Sequence, residues 1–239
     1  MDNTKMDKSV DPGLEQLPSP QVDLATRQFL KATAQIVAVG GLALALPAAR
    51  AQAPQAGRDY RPVNPPQQTE SAGKLEVLEF FWYGCPHCNS FEPVLKSWVK
   101  SQPADVSFRK MHVGLVPSWV PHQQLFYALD ALGKTDALNE AVFRAIHVQR
   151  NPLNKPEAMA DFVAGHGVDR KQFLDAYNSF GVRTKMRRAV QQSAAYGLEG
   201  VPALAVNGKW FTAPSMAGGN AQALKVVEFL LDRERKART

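Results

Sequence analysis

The stretch that most constrains this chain is residues 75–88, LEVLEFFWYGCPHC. Leu75–Tyr83 is a strongly apolar run of strand length, too uniform for a half-exposed strand, which places it in the centre of a sheet. A helix follows from Cys85: Pro86 suits its first turn, and Phe91, Val94, Leu95 and Trp98 recur at helical spacing. Pro93 inside that helix is expected to kink it. Cys85 and Cys88, the only cysteines among 239 residues, therefore sit where a buried strand turns into a helix. Two cysteines cannot staple a scaffold, so the fold must be held by its core.

The rest of the chain predicts an order of elements. Val106–Val113 reads as a second strand. A helical block follows, with one stripe of Leu125, Phe126, Leu129 and Leu132. Thr135 is expected to cap a second helix, Pro156 to open a third, Asp169 to cap a fourth, and Val182–Tyr196 to form a fifth. Ala203–Val206 and Lys209–Thr212 flank Asn207-Gly208, a hairpin signal, and Asn220 is expected to cap a last helix. The fold class is α/β: a small sheet layer interrupted by an all-helical insertion too long for a simple crossover. The expected divisions are a linker with a short edge strand over 52–73, a sheet domain over 74–116 and 198–239, and a helical insertion over 117–197.

The N-terminus carries an address. Arg27 and Lys31 flank the start of the apolar run Ala32–Leu46, and Ala49-Arg50-Ala51 offers a small-x-small cleavage site. With its long polar lead, 1–51 reads as an export signal cleaved after Ala51. The apolar run is short of the ~20 residues that span a bilayer. The segment around Arg27 also resembles a twin-arginine signal that lacks one arginine. Export implies an oxidising compartment. The net charge of +6 lies wholly in residues 52–239, without a basic run interleaved with aromatics. Acidic partners or a membrane surface fit that balance; nucleic acid does not.

A Cys-x-x-Cys pair has several potential uses. Structural zinc needs four ligands; there is no second cysteine pair, and His112, His122, His147 and His166 are scattered. Covalent haem needs histidine directly after the second cysteine, where Asn89 stands. An inert disulfide over so short a loop adds little stability. Copper delivery by a Cys/His site remains a competing reading, and redox chemistry is the leading one. At the helix start the unpaired N–H groups and the macrodipole favour a thiolate, so Cys85 is expected to be the exposed, attackable sulfur. Cys88, one turn inside, is the buried partner that resolves. Pro86 stiffens the spacer, and His87 can offer an N–H or a positive charge to Cys85, against the plainer reading of a solvated surface imidazole. Stabilising the reduced form makes the disulfide a stronger oxidant. Glu79 interrupts the apolar strand on the same face as Val77 and Phe81; it either lies buried with a raised pKa or a partner, or faces water at a sheet edge.

Val77-Leu78-Glu79-Phe80-Phe81 followed by Cys85-Pro86-His87-Cys88 resembles the DsbA family of thiol:disulfide oxidoreductases, as does Gly200-Val201-Pro202-Ala203 with Val206-Asn207-Gly208-Lys209. The likeness runs from about Leu75 to about Leu231 and implies a thioredoxin fold with a helical insertion. It implies a cis peptide bond at Pro202 facing the disulfide, where a sequence reading alone also allows a trans turn proline. There the Val201 backbone would pair with an extended substrate chain. It further implies that Glu79 accepts a proton from Cys88, with Lys110 nearby. No cofactor beyond the Cys85–Cys88 disulfide is implied. The partners implied are newly exported, unfolded cysteine-containing proteins and a quinone-linked membrane oxidase of the DsbB type, around a periplasmic monomer. An isomerase or reductase of the same superfamily is the alternative; isomerases usually dimerise through a separate N-terminal domain, for which 52–73 is too short.

Overall fold

Residues 75–81 are withdrawn from solvent over their whole length and form the strand on which the sheet is registered. The computed structural model describes residues 53–238; the export signal expected over 1–51 lies outside the described residues. Five strands, β1 (Arg61–Pro62), β2 (Leu75–Phe81), β3 (Val106–His112), β4 (Ala203–Val206) and β5 (Trp210–Thr212), lie in the order β1-β5-β4-β2-β3. β2 pairs parallel with β3 and antiparallel with β4. The parallel pair needs a crossover, which helix α1 (Pro86–Lys100) provides. The hairpin from β4 to β5 turns through Asn207 (φ 50°) and Gly208 (φ 68°), where a Cβ on Gly208 would meet the Gln67 carbonyl oxygen at 2.0 Å.

Five helices are inserted between β3 and β4: α2 (Val120–Ala131), α3 (Thr135–His147), α4 (Pro156–Ala164), α5 (Arg170–Tyr177) and α6 (Phe180–Ala195). A 3-10 turn at Pro117–Trp119 leads into them, and α7 (Pro214–Ala217) and α8 (Asn220–Lys236) close the chain. The sheet is thus thioredoxin-like with a helical insertion, as the family resemblance implies. One face buries Leu75, Val77, Leu204 and Val206 against Phe91, Leu95 and Trp98 of α1 and Val227 and Leu230 of α8. A second cluster joins Leu78, Phe80 and Phe81 to Leu125, Val142 and Phe173 of the insertion.

Several local expectations change. The ladder ends at Phe81, so Trp82 and Tyr83 leave the strand predicted to include them. Thr135 is the first residue of α3 rather than its cap, and its Oγ1 is buried without a hydrogen bond. Gly219, not Asn220, caps α8, its φ of 142° suiting glycine. Helix α6 starts earlier than Val182 because the Ser179 hydroxyl accepts the Val182 N–H at 3.1 Å. Asp169 does cap α5, accepting the Gln172 N–H at 2.8 Å.

The α1 stripe divides sharply in burial: Phe91 is fully enclosed while Val94 is 40% exposed. Phe91→Ala is expected to lower the unfolding free energy by about 3–5 kcal/mol. Val94→Ala should change it by under about 0.5 kcal/mol. Denaturant titration of both variants checks this.

Candidate active site

The buried strand delivers the chain to Cys85, which caps α1. Its backbone is extended (φ −82°, ψ 118°), its carbonyl accepts the Asn89 N–H at 3.0 Å, and its sulfur accepts the Cys88 N–H at 3.4 Å. Helix caps are normally oxygen; sulfur in that place lies in the field of the helix start. Both cysteines are free thiols. Cys85 is not the exposed sulfur expected from the sequence: it keeps only 6% of its surface and Cys88 none. The covering group is the loop before β4, whose Val201 carbonyl lies 3.5 Å from the Cys85 sulfur and accepts from it. The Val201–Pro202 bond is cis, and Asn64–Pro65 is a second cis bond not foreseen from the sequence.

Electrostatics separates the two sulfurs. Cys85 is pulled down to about 6, first by a hydrogen bond from the Cys88 thiol, then, against opposing burial, by the N–H groups of Cys88 and His87 and the charge of His87. Burial drives Cys88 far upward, reinforced by the bond it gives to Cys85. His87 and Pro86 are exposed at the front of the helix.

Glu79 lies wholly inside rather than at a water-facing edge. It pairs in register with Lys110 of β3, whose Nζ stands 3.0 Å from Glu79 Oε2 but out of line for a hydrogen bond, leaving both carboxylate oxygens without one. Burial raises Glu79 to about 7 against the opposing charge of Lys110. Burial also pulls Lys110 down, but Glu79 and Glu92 outweigh it and hold the ammonium above its usual range. Lys110 contacts Glu92 of α1, whose other oxygen accepts the Asn139 amide at 2.9 Å. The sequence reading missed Glu92, although it follows Cys88 by four residues and so shares its side of α1. The upward shift of the Cys88 pKa carries a contribution from the charge of Glu79, which ties this cluster to the buried sulfur.

A cleft of about 720 Å³ opens beside the pair, lined by His87, Gly200, Val201, Pro202, Phe211 and Met216 among others. Cys85, Cys88, His87, Pro86, Val201 and Pro202 are thus brought together at the start of α1, Pro86 and His87 exposed and the cysteines and Pro202 buried, with Glu79 and Lys110 paired in the adjoining sheet. Among the described residues, no group of three or more His, Cys, Asp or Glu could hold a metal ion.

Comparison with known proteins gives this arrangement its family. The model of the DSBA-like thioredoxin domain matches residues 76–229. The chain belongs to the DsbA-like thioredoxin family. It is 43% identical over 192 residues to the thiol:disulfide interchange protein DsbA of Burkholderia cepacia, covering 80% of this chain and 91% of that one. The crystal structure of Pseudomonas aeruginosa DsbA superposes with a TM-score of 0.74 at 41% identity, covering 77% of this chain and 96% of that one. The oxidoreductase DsbA from Xylella fastidiosa gives 0.74 at 30% identity, covering 77% and 100%. This family member is a thiol:disulfide oxidoreductase, and the family acts through a disulfide.

Two measurements follow from the electrostatics. Alkylation of the reduced protein by iodoacetamide should modify Cys85 with a midpoint near pH 6 and leave Cys88 unmodified below pH 9. Glu79 has a native value raised above its unfolded one, so its stabilising contribution is complete below about pH 4.5 and lost as pH rises through about 7. Glu79→Gln should therefore gain stability over wild type as pH goes from 5 to 8, by about 1–3 kcal/mol, in urea titrations at both pH values.

Proposed function

We propose that the mature chain is a protein disulfide oxidase that donates its Cys85–Cys88 disulfide to newly exported proteins. The observation that carries this reading is the asymmetry of the pair, one sulfur held down to about 6 and the other driven far upward. A substrate thiolate attacks Cys85 in the oxidised protein; the Cys85–substrate bond forms, the Cys85–Cys88 bond breaks, and its electron pair leaves on Cys88. Cys88 is too basic to remain a thiolate and takes up a proton, for which the Glu79 carboxyl, near neutrality and balanced by Lys110, is the donor in this direction; when the reduced pair is reoxidised, Glu79 accepts the proton back from the Cys88 thiol. A second substrate thiolate then attacks the substrate sulfur of the mixed disulfide. Oxidised substrate departs, and Cys85 leaves as the stabilised thiolate.

The cleft beside Val201 and Pro202 supports binding of an extended peptide along this loop, with the Val201 backbone as the pairing edge, His87 at its rim, and the exposed Pro86 next to His87 as a further contact. Reoxidation then needs a membrane partner that passes electrons to a quinone, of the DsbB type. The apolar leader within 1–51, cleaved after Ala51, would deliver the protein to the periplasm, where it works as a monomer. We assign 74–116 and 198–239 to the redox domain, 117–197 to the insertion and 52–73 to the linker.

Cys88→Ala, activated on Cys85 as a mixed disulfide with a small thiol and mixed with a reduced, unfolded protein that carries a single cysteine, should accumulate a covalent adduct on non-reducing gels that dithiothreitol removes. Cys85→Ala should give none. An adduct that required Cys88 instead would reverse the assigned roles.

A further inference from the structure

The sheet ladder stops at Phe81, whose carbonyl still accepts the Val113 N–H at 2.9 Å. Tyr83 follows with no strand partner, yet it is fully buried, so its backbone N–H and C=O must be satisfied without water. Two histidines do this. His112, the last residue of β3, accepts the Tyr83 N–H on Nε2 at 3.1 Å. His147, the last residue of α3, donates from Nε2 to the Tyr83 carbonyl at 2.7 Å. A third, His122 of α2, accepts the Trp82 indole N–H on Nδ1 at 3.0 Å and gives its Nε2–H to the Pro152 carbonyl at 2.7 Å. That indole is stacked on Trp119 with ring centres 4.3 Å apart, and a Cβ on Gly84 would stand 2.3 Å from its ring. The Trp82 carbonyl in turn accepts the Cys85 N–H at 3.0 Å. Between the end of the ladder and Cys85, the Tyr83 N–H and C=O, the Trp82 indole and the Cys85 N–H are therefore each held, and three histidines supply the links that the sheet cannot.

Stability alone does not account for His112. With Nε2 accepting, its proton sits on Nδ1, which is buried and makes no well-aligned hydrogen bond, so the ring is held for the Tyr83 N–H at the expense of its other nitrogen. Burial favours the neutral rings that His112 and His122 need in order to accept. We propose that His112, His122 and His147 are positioning residues for Cys85. Acting through Tyr83 and Trp82, they fix the Trp82–Gly84 lead-in, and with it the aim of the Cys85 sulfur at the N–H and thiol of Cys88. Displacing a reacting group by about 1 Å costs on the order of a hundredfold in rate, so a lead-in held on three sides protects the geometry that lowers Cys85. The proposal rests on the reading of Cys85 as the reactive thiolate.

The test compares His112→Leu with His112→Gln and His147→Leu with His147→Gln in the full mature protein. A glutamine amide can replace the Nε2 acceptor of His112 or the Nε2 donor of His147; leucine can do neither. The readouts are the iodoacetamide rate of Cys85 against pH and the denaturation midpoint. The leucine variants should lose about three- to tenfold in rate at pH 6, with the midpoint moved upward, while the glutamine variants stay within about twofold of wild type. Should His112→Leu fail to fold, the pair at the less buried His147 carries the comparison. Leucine variants that lose stability but keep the wild-type pH profile would overturn the proposal and leave the histidines structural. A wild-type midpoint near that of free cysteine would overturn the thiolate reading itself and this proposal with it.

Discussion

The Cys85 sulfur receives both the N–H and the thiol of Cys88, at the one place in α1 where backbone donors have no helical partners. Everything distinctive about the site depends on this contact between the first and last residues of the Cys-Pro-His-Cys motif. It lowers the outer sulfur and, by the same bond, adds to the rise that burial imposes on the inner one, so a single contact widens the difference between the two sulfurs. The gain appears only in the reduced protein, because the disulfide has no thiolate to stabilise. By linkage, the depressed Cys85 stabilises the reduced fold fully above the ordinary thiol range and loses that effect as pH falls through about 6. Stabilising the reduced state in this way shifts a disulfide couple toward higher potential.

Holding that contact requires a rigid foundation, and the apolar strand β2 supplies it. Its seven residues are buried between β3 and β4, so the point at which the chain leaves the sheet is fixed by packing on both faces. The one ionisable group of the strand whose charge reaches the buried sulfur is Glu79, which sits opposite Lys110 and shares it with Glu92. A carboxyl raised to about 7 exchanges protons at neutral pH, which an exposed glutamate would do only in acid. Burial thus costs stability at Glu79 while providing a group suited to proton transfer.

Much of this was legible in the sequence because short-range patterns determined it. The apolar run, the cysteine spacing, Pro86 in the first helical turn, and Asn207-Gly208 each constrain local geometry, and their order gives the sheet and the insertion. The parts that were not legible depend on long-range packing. Cys85 was expected to be exposed because helix position alone says nothing about the Val201 loop, 116 residues away in sequence, that covers it. Thr135 and Asn220 have cap-forming side chains, but Lys134 and Gly219 occupy the cap positions. His112, His122 and His147 look scattered in the sequence because no spacing reveals that β3, α2 and α3 converge on Trp82 and Tyr83.

The most direct test of the central claim is the redox equilibrium of the Cys85–Cys88 pair with glutathione, measured from pH 4 to 9. If Cys85 is a thiolate above pH 6, reduction takes up two protons below that value and one above it. The potential should then fall by about 60 mV per pH unit below the break and about 30 mV above it. The account predicts a break near pH 6 and a couple well above the roughly −270 mV of thioredoxin. A break near pH 8.5, the range of free cysteine, or a couple as reducing as thioredoxin would contradict it.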